Sequence, residues 1–168
     1  MTDLARLVVQ VPIGGIAVGK PPEVLSTLLG SCVGMVVQDL KHQIAVLAHV
    51  VRPSGKGAGM GPGYFADQAA PRARDLALQN GADPKQLIVR MAGGGSMGSG
   101  GDIGRRNAEA IKEATYELSM VFGGHVEGPA DGGCVLFVNP ANGNLAVRKL
   151  GSTVDDRQWR KLVEQVLG

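Results

Sequence analysis

Cys32 and His49 are the two side chains of this sequence whose chemistry is best suited to catalysis. A thiolate is a strong nucleophile, and a neighbouring imidazole takes the proton of the thiol or lowers its pKa. The chain holds two cysteines and three histidines, and this pair lies in or beside one apolar stretch, TLLGSCVGMVVQDLKHQIAVLAHV. The alternative is a free cysteine that serves as a small core residue beside a hydrogen-bonded histidine.

The segments VGMVVQD and QIAVLAHVV flank a short polar turn and predict a β-hairpin that brings the pair together. A symmetric loop at Leu40-Lys41, or at residues 39–42, pairs Cys32 directly with His49. Opposed residues of an antiparallel pair share a face, with Cβ atoms roughly 4.5–5.5 Å apart. We therefore expect a thiol–imidazole contact, with open space for a substrate chain beside Gly34.

Glycines and serines near the pair predict the walls of a cleft. The turn at Gly30 and Ser31 is placed to aim backbone N–H groups at a developing oxyanion. The run GGGSMGSGG contains Gly94, Gly95 and Ser96 and predicts a loop that shapes another wall of the cleft.

A third group is expected to orient the imidazole, as in other nucleophile–histidine sites. Ser26 and Thr27 both lie just upstream of Cys32 and both carry a hydroxyl. The residues alone leave the choice between them open.

The remaining patterns predict an α/β (α+β) domain with much antiparallel pairing and three helices. The two hairpin strands are apolar on both faces, which indicates that both faces are covered and favours a three-layer sandwich. Pro71 is expected to kink the first helix or delay its start, and Asp102 is a candidate N-cap of the second. The predicted helices are YFADQAAPRARDLALQNG, DIGRRNAEAIKEATYELS and DDRQWRKLVEQVLG, and the other strands are ARLVVQVP, GGIAV, QLIVRMA, SMVFGGHV, GGCVLFVN and NLAVRKLG.

Length and composition predict one domain over residues 1–168, and two distant cysteines without an export signal predict a location in the cytoplasm. The net charge of +2 and the scattered basic residues argue against nucleic acid as a partner. No run of residues approaches a membrane span, and the N-terminus does not have the pattern of a signal peptide. Two distant cysteines in such a chain are expected to be free thiols.

Several stretches, taken in order, resemble the CheD family, the chemoreceptor glutamine deamidases of bacterial and archaeal chemotaxis. The similar stretches are LGSCVGMVVQD, IAVLAHVVRP, GYFADQA, NGADPKQLIVRMAGGGSM, IGRRNAEAIKEA and GNLAVRKLG. They cover nearly the whole chain, so the resemblance extends well beyond the Cys32 and His49 segments.

This resemblance implies a fold similar to the catalytic domain of the cytotoxic necrotizing factor toxins, a layered α/β sandwich. It implies that Cys32 is the nucleophile and His49 the base. The third residue of the family's site, usually Thr, falls at Ser26 here, which keeps the hydroxyl but lacks the methyl group that fixes the rotamer. The neighbouring Thr27 is expected to point to the opposite face of a strand, and therefore away from the site.

The implied reaction is hydrolysis of glutamine side-chain amides on the cytoplasmic helices of chemoreceptors, through a thioester and without a metal or organic cofactor. Some family members also bind the CheC-type phosphatase. Gly98 stands where an aromatic residue is common in the family, which weakens the expectation of CheC binding. The segment 123–135 also departs from the family pattern.

Two other classes of function stay open at this stage. One is an adaptor of the same fold that binds receptors or a CheC-type phosphatase with little or no catalysis. The other is nucleotide binding, because Gly93, Gly95 and Gly98 match G-x-G-x-x-G between a predicted strand and a predicted helix. An acid at the start of that helix disfavours a phosphate there.

Overall fold

The computed structural model describes residues 7–57, 59–95, 102–128 and 133–149, together with Lys161 and Glu164. Within these ranges the chain forms strands and two helices. The strands are β1 (Val8–Gln10), β2 (Ile16–Gly19), β3 (Val24–Leu29), β4 (Val33–Asp39), β5 (Ile44–Val50), β6 (Ile88–Gly93), β7 (Val121–Glu127), β8 (Cys134–Val138) and β9 (Leu145–Lys149), and the helices are α1 (Ala66–Gln79) and α2 (Ile103–Glu117).

The strands form two sheets. A four-stranded sheet has the order β1-β3-β8-β9, and a five-stranded sheet has the order β2-β5-β4-β6-β7. Neighbouring strands are antiparallel except for β1 with β3 and β6 with β7. The central strands β4 and β5 of the larger sheet are buried along their whole length, as their apolar character predicts.

The chain packs in three layers with an apolar cluster in each gap. Alternation along β5 places Val46 and Ala48 against the helices, and Ala45 and Leu47 against the smaller sheet. One cluster therefore lies between the helices and the larger sheet, and the other lies between the two sheets. This architecture confirms the predicted layered α+β sandwich.

Helix α1 packs closely because its buried face consists of small residues, namely Ala66, Ala69, Ala70, Ala73 and Ala77. Pro71 lies inside this helix without delaying its start, although its ring nitrogen cannot donate to the carbonyl of Asp67. Asp102 occupies the N-cap position of α2, as predicted. In the described part of the chain, neither helix is long and apolar enough to cross a membrane.

One strand of the structure was not predicted, and one predicted helix stays a prediction. Strand β3 is absent from the predicted elements, although it is buried at nearly every position. The third predicted helix, at the C-terminus, lies outside the described residues apart from Lys161 and Glu164.

The predicted hairpin of β4 and β5 forms, but its register differs by two residues. The loop spans residues 40–43, and Gln43 takes a positive φ of 56° before β5 begins. Asp39 therefore pairs with Ile44, and Gly34 rather than Cys32 lies opposite His49. The prediction of a direct Cys32–His49 pair is wrong, because the turn starts one residue later and ends one residue later than a loop over residues 39–42 would.

Candidate active site

His49 lies on β5 with its side chain between the two sheets, 2 % exposed. The turn before β2 fixes its backbone on the edge of β5 that faces β2. The N–H of His49 donates to the carbonyl of Gly15 at 3.0 Å, and its carbonyl accepts from Gly14 at 3.1 Å. Gly14 has a φ of 75°, a conformation that glycine adopts without a steric cost. The imidazole therefore extends from a backbone that is held at both of its polar groups.

A hydroxyl group from the opposite sheet contacts the imidazole of His49. Thr27 Oγ1 lies 2.7 Å from His49 Nδ1 and 2.8 Å from the carbonyl oxygen of Val11. A carbonyl oxygen only accepts, so the single hydroxyl hydrogen of Thr27 goes to Val11. The hydroxyl oxygen must then accept from Nδ1–H, which assigns the tautomer and leaves a lone pair on Nε2.

Thr27 is therefore the residue whose hydroxyl contacts the imidazole of His49, and the prediction that Ser26 makes this contact is wrong. Leu25 and Leu29 of β3 pack in the cluster between the sheets, and alternation gives Thr27 the same direction. Ser26 points to the other face of the small sheet, opposite Phe137 in the ladder. The expectation that Thr27 faces away from the site is wrong for the same reason.

The environment of His49 favours the neutral imidazole. Burial lowers the pKa of His49 from 6.5 to about 4, because the charged form loses its hydration. Nε2 is buried and has no hydrogen-bond partner among the described residues. A buried acceptor without a donor is unusual in a folded protein and calls for an explanation. An imidazole in this state has the protonation that a general base requires.

Cys32 lies in the bend between β3 and β4, half-buried, and its side chain packs against the cluster between the sheets. The last ladder pairs are Gly34 with His49 and Val33 with Val50. Cys32 is therefore two residues along the strand direction from the position opposite His49. Such diagonal neighbours on one face are about 7–8 Å apart at Cα and less at Cβ. The structure keeps the two residues in one region, but on a diagonal.

The space beside Gly34 is filled. A Cβ atom added there would lie 2.7 Å from Leu136 Cδ2 and 3.2 Å from Leu29 Cδ1. Both leucines are fully buried between the sheets. The prediction that Gly34 leaves room for a substrate is wrong, since its missing side chain allows the two sheets to pack closely.

Two opposing influences act on the thiol of Cys32. Burial raises its pKa above the ordinary value of 9.0, and the positive charge of Arg52 lowers it by a smaller amount. Arg52 follows β5 by two residues and was not among the predicted site residues. The sequence could have indicated Arg52 as a site residue, because it stands three residues after His49, near one edge of the hairpin.

The backbone around Cys32 divides into bonded and free groups. Gly94 N–H donates to the carbonyl of Cys32 at 2.9 Å, so this group anchors the bend and is not free to bind an oxyanion. Among the described residues, the backbone N–H groups of Ser31 and Cys32 donate to no backbone carbonyl. Gly30 belongs to the same bend and is half-buried.

The glycine-rich segment lies beside Cys32 but is described only in part. Gly95 is buried near Gly128, and Ser96 and Gly98 lie outside the described residues. Helix α2 begins at Ile103, which is five residues after Gly98, the last glycine of the G-x-G-x-x-G match. A dinucleotide fingerprint needs its glycines at the helix start, so this spacing does not favour nucleotide binding.

The arrangement as a whole combines a thiol, a neutral imidazole with a free Nε2, and a hydroxyl that fixes the imidazole tautomer. The backbone N–H groups of Ser31 and Cys32, which have no acceptor among the described residues, lie next to the thiol. These are the groups that acyl transfer through a covalent thioester requires. Cys134, the other cysteine, is fully buried on β8, where burial raises its pKa.

Comparison with protein families gives one match, to the family model described as CheD chemotactic sensory transduction. It covers residues 51–149, more than half of the chain. The matched segment begins after Thr27, Cys32 and His49, and it includes Gly94 and helix α2.

Curated relatives are similar over most of their length. A probable chemoreceptor glutamine deamidase CheD of Methanococcus vannielii is 31% identical over 148 residues, which are 85% of this chain and 96% of the relative. The protein of the same name from Oceanobacillus iheyensis is 35% identical over 164 residues, 92% of this chain and 98% of the relative. The chemoreceptor glutamine deamidase CheD of Thermotoga maritima is 35% identical over 142 residues, 83% of this chain and 90% of the relative.

Proposed function

Because this chain belongs to the CheD family, we propose that it deamidates glutamine side chains of chemoreceptors with Cys32 as the nucleophile. The relatives named chemoreceptor glutamine deamidases support the reaction and the substrate. One observation carries the assignment of the groups. Among the residues that the structure describes, His49 Nε2 is a buried acceptor without a hydrogen-bond partner, and Thr27 sets the tautomer of the ring.

The first half of the reaction forms a thioester. The thiol of Cys32 transfers its proton to His49 Nε2 as Sγ bonds to the carboxamide carbon of the substrate glutamine. The N–H groups of Ser31 and Cys32 stabilise the oxyanion of the tetrahedral intermediate. The imidazolium then gives its proton to the leaving nitrogen, and ammonia departs.

The second half restores the enzyme. Water transfers a proton to His49 Nε2 and adds to the thioester carbon, and the carbon–sulfur bond breaks. The sulfur regains its proton from the imidazolium, and the substrate side chain leaves as glutamate. Thr27 accepts from Nδ1–H throughout, which keeps the ring in one orientation and stabilises its charged form.

The neutral resting state fits this sequence of proton transfers. The raised pKa of Cys32 and the lowered pKa of His49 both favour thiol and imidazole over a preformed ion pair. His49 is then a general base that acts as the carbon–sulfur bond forms. Arg52 provides the nearby positive charge for the sulfur as it becomes more negative. The proposal places the protein in the cytoplasm, at the cytoplasmic helices of its receptors.

The test is mass spectrometry of a chemoreceptor cytoplasmic fragment after incubation with the protein. The parent is expected to convert particular glutamines to glutamate, and Cys32→Ala is expected to convert none. Cys134→Ala is the matched control, because it removes the other thiol and leaves the proposed site intact. Circular dichroism checks that each variant is folded.

Equal conversion by Cys32→Ala and the parent would contradict the assignment of the nucleophile. No conversion by the folded parent, on several receptors of one cell, would contradict the enzymatic proposal and favour a binding role. Binding to a CheC-type phosphatase would then be measured next.

A further inference from the structure

Asn107 of α2 makes a contact with the hairpin that the proposed mechanism does not use. It is 1 % exposed, and its Nδ2 donates to the carbonyl oxygen of Val51 at 2.9 Å. The carbonyl can only accept, which fixes the orientation of the amide. Asn107 lies in the stretch IGRRNAEAIKEA, which the sequence comparison with the family singled out without giving it a role.

The position of Val51 makes this contact relevant to the site. The last pair of the β4–β5 ladder is Val33 with Val50. The next residues along the two strands are Cys32 and Val51. Asn107 therefore binds the first residue after β5, which is level with Cys32 along the direction of the ladder and lies one residue before Arg52.

Helix α2 also approaches the bend of Cys32 indirectly, through the contact of its first turn with Gly94. A Cβ atom at Gly104 would lie 2.3 Å from the carbonyl oxygen of Gly94. Gly94 in turn donates its N–H to the carbonyl of Cys32. The same helix thus supports the bend of Cys32 through Gly94 and the end of β5 through Val51.

The second amide atom of Asn107 suggests that stability does not explain the residue. Oδ1 is buried and has no hydrogen-bond partner among the described residues. An unsatisfied buried acceptor costs stability, and this cost offsets what the hydrogen bond from Nδ2 to Val51 contributes. The amide therefore has little net effect on stability, and its contact with Val51 is better explained by alignment of the site.

We infer that Asn107 is a positioning residue, which holds the Val51 carbonyl so that Cys32 and Arg52 keep their alignment with His49. This inference rests on the proposed function for its catalytic consequence. It also predicts a property of the thiol itself, which is measurable without a substrate.

The experiment compares Asn107→Leu with the parent protein. Leucine has the same branching at Cγ but no donor. We expect kcat for receptor deamidation to fall about 10- to 100-fold with KM unchanged, as for a site displaced by a fraction of an ångström to an ångström. The alkylation rate of Cys32 with iodoacetamide, located by peptide mass spectrometry, should change by at least about threefold. The midpoint of thermal unfolding should stay close to that of the parent, because the variant removes the unpaired Oδ1 but also leaves the Val51 carbonyl without its donor.

Thr115→Val is the matched control on the same helix. Thr115 is fully buried and donates to the carbonyl of Ile111 at 2.7 Å, away from Cys32. This variant should keep the kcat and the alkylation rate of the parent. If Asn107→Leu does not fold, Asn107→Ala removes the same donor without adding bulk and replaces it.

Parent values of kcat and alkylation rate in the Asn107 variant would overturn the inference. So would a loss of activity that Thr115→Val reproduces, since the effect would then be general destabilisation of α2. An inactive parent would contradict the proposed function instead, and the alkylation comparison would still decide the role of Asn107.

Discussion

Acidification should lower the free energy of unfolding of this protein through protonation of His49. The pH range of this effect is set by burial, which lowers the pKa of His49 in the folded state. In the unfolded chain the imidazole takes up a proton near pH 6.5, whereas in the folded chain it does so near a pKa of about 4. Between these values the unfolded state binds more protons than the folded state. Stability is therefore complete above pH 6.5 and is lost progressively as the pH falls toward 4.

The size of the effect follows from the difference between the two pKa values. One unit corresponds to about 1.4 kcal/mol, so the full window is worth about 3 kcal/mol in the free energy of unfolding. Between pH 7 and pH 5 the same linkage gives about 2 kcal/mol. This is a large share of the total stability of a domain, which is about 5–15 kcal/mol.

The assay is urea denaturation, followed by far-ultraviolet circular dichroism at pH 7, 6 and 5, for the parent and His49→Gln. Glutamine does not titrate, and its amide can donate to Thr27 as Nδ1–H does. Every other titrating group is common to both proteins, so its contribution cancels in the difference between them. The parent should lose about 2 kcal/mol more than the variant between pH 7 and pH 5.

If the free energy of unfolding depends on pH in the same way for the parent and for His49→Gln, this reasoning is refuted. A difference below about 0.5 kcal/mol lies within the usual error of additivity. It would mean that His49 is protonated in the folded protein near its ordinary pKa. The neutral base of the proposed mechanism would then have to be replaced by an ion pair.

Four further predictions test other parts of the site. The alkylation rate of Cys32 should rise from pH 7 to pH 9 without a plateau, because burial raises the pKa of its thiol, and a plateau below pH 7 would indicate a preformed ion pair. Thr27→Val should lower the free energy of unfolding by about 1–3 kcal/mol and reduce kcat, since it leaves two buried groups without a partner. Ser26→Ala should preserve kcat, and a larger kcat loss than for Thr27→Val would contradict the geometry. Gly34→Ala should cost about 1–3 kcal/mol by overpacking, measured in the same urea titration, and an unchanged midpoint would show that the sheets can separate.

The choice between Ser26 and Thr27 could not be made from the local pattern. Strand β3 reads VLSTLL, with apolar residues on both sides of the two hydroxyls. This pattern has no alternation, so it does not indicate which face is turned toward the large sheet. Pairing with β8 and packing against β5 decide it, and both contacts join distant parts of the chain.

The error in the predicted hairpin register did not change which residues share a face of the sheet, and the reason is geometric. A shift by two residues keeps every side chain on its face, whereas a shift by one would reverse them all. Cys32 and His49 therefore stay on the same side of the larger sheet. The position of the loop depends on Gln43, whose positive φ is not the usual choice for a residue with a side chain.

The sequence by itself determined the layered sandwich and the Cys32–His49 region, because both follow from local apolar patterns and from rare reactive residue types. Only the tertiary structure decided that Thr27 contacts the imidazole, that Gly34 is a packing position, and that Asn107 reaches the end of β5. These three depend on which surfaces of separate elements meet. Such contacts are fixed by the packing of sheets and helices as complete layers, and no short segment specifies them alone.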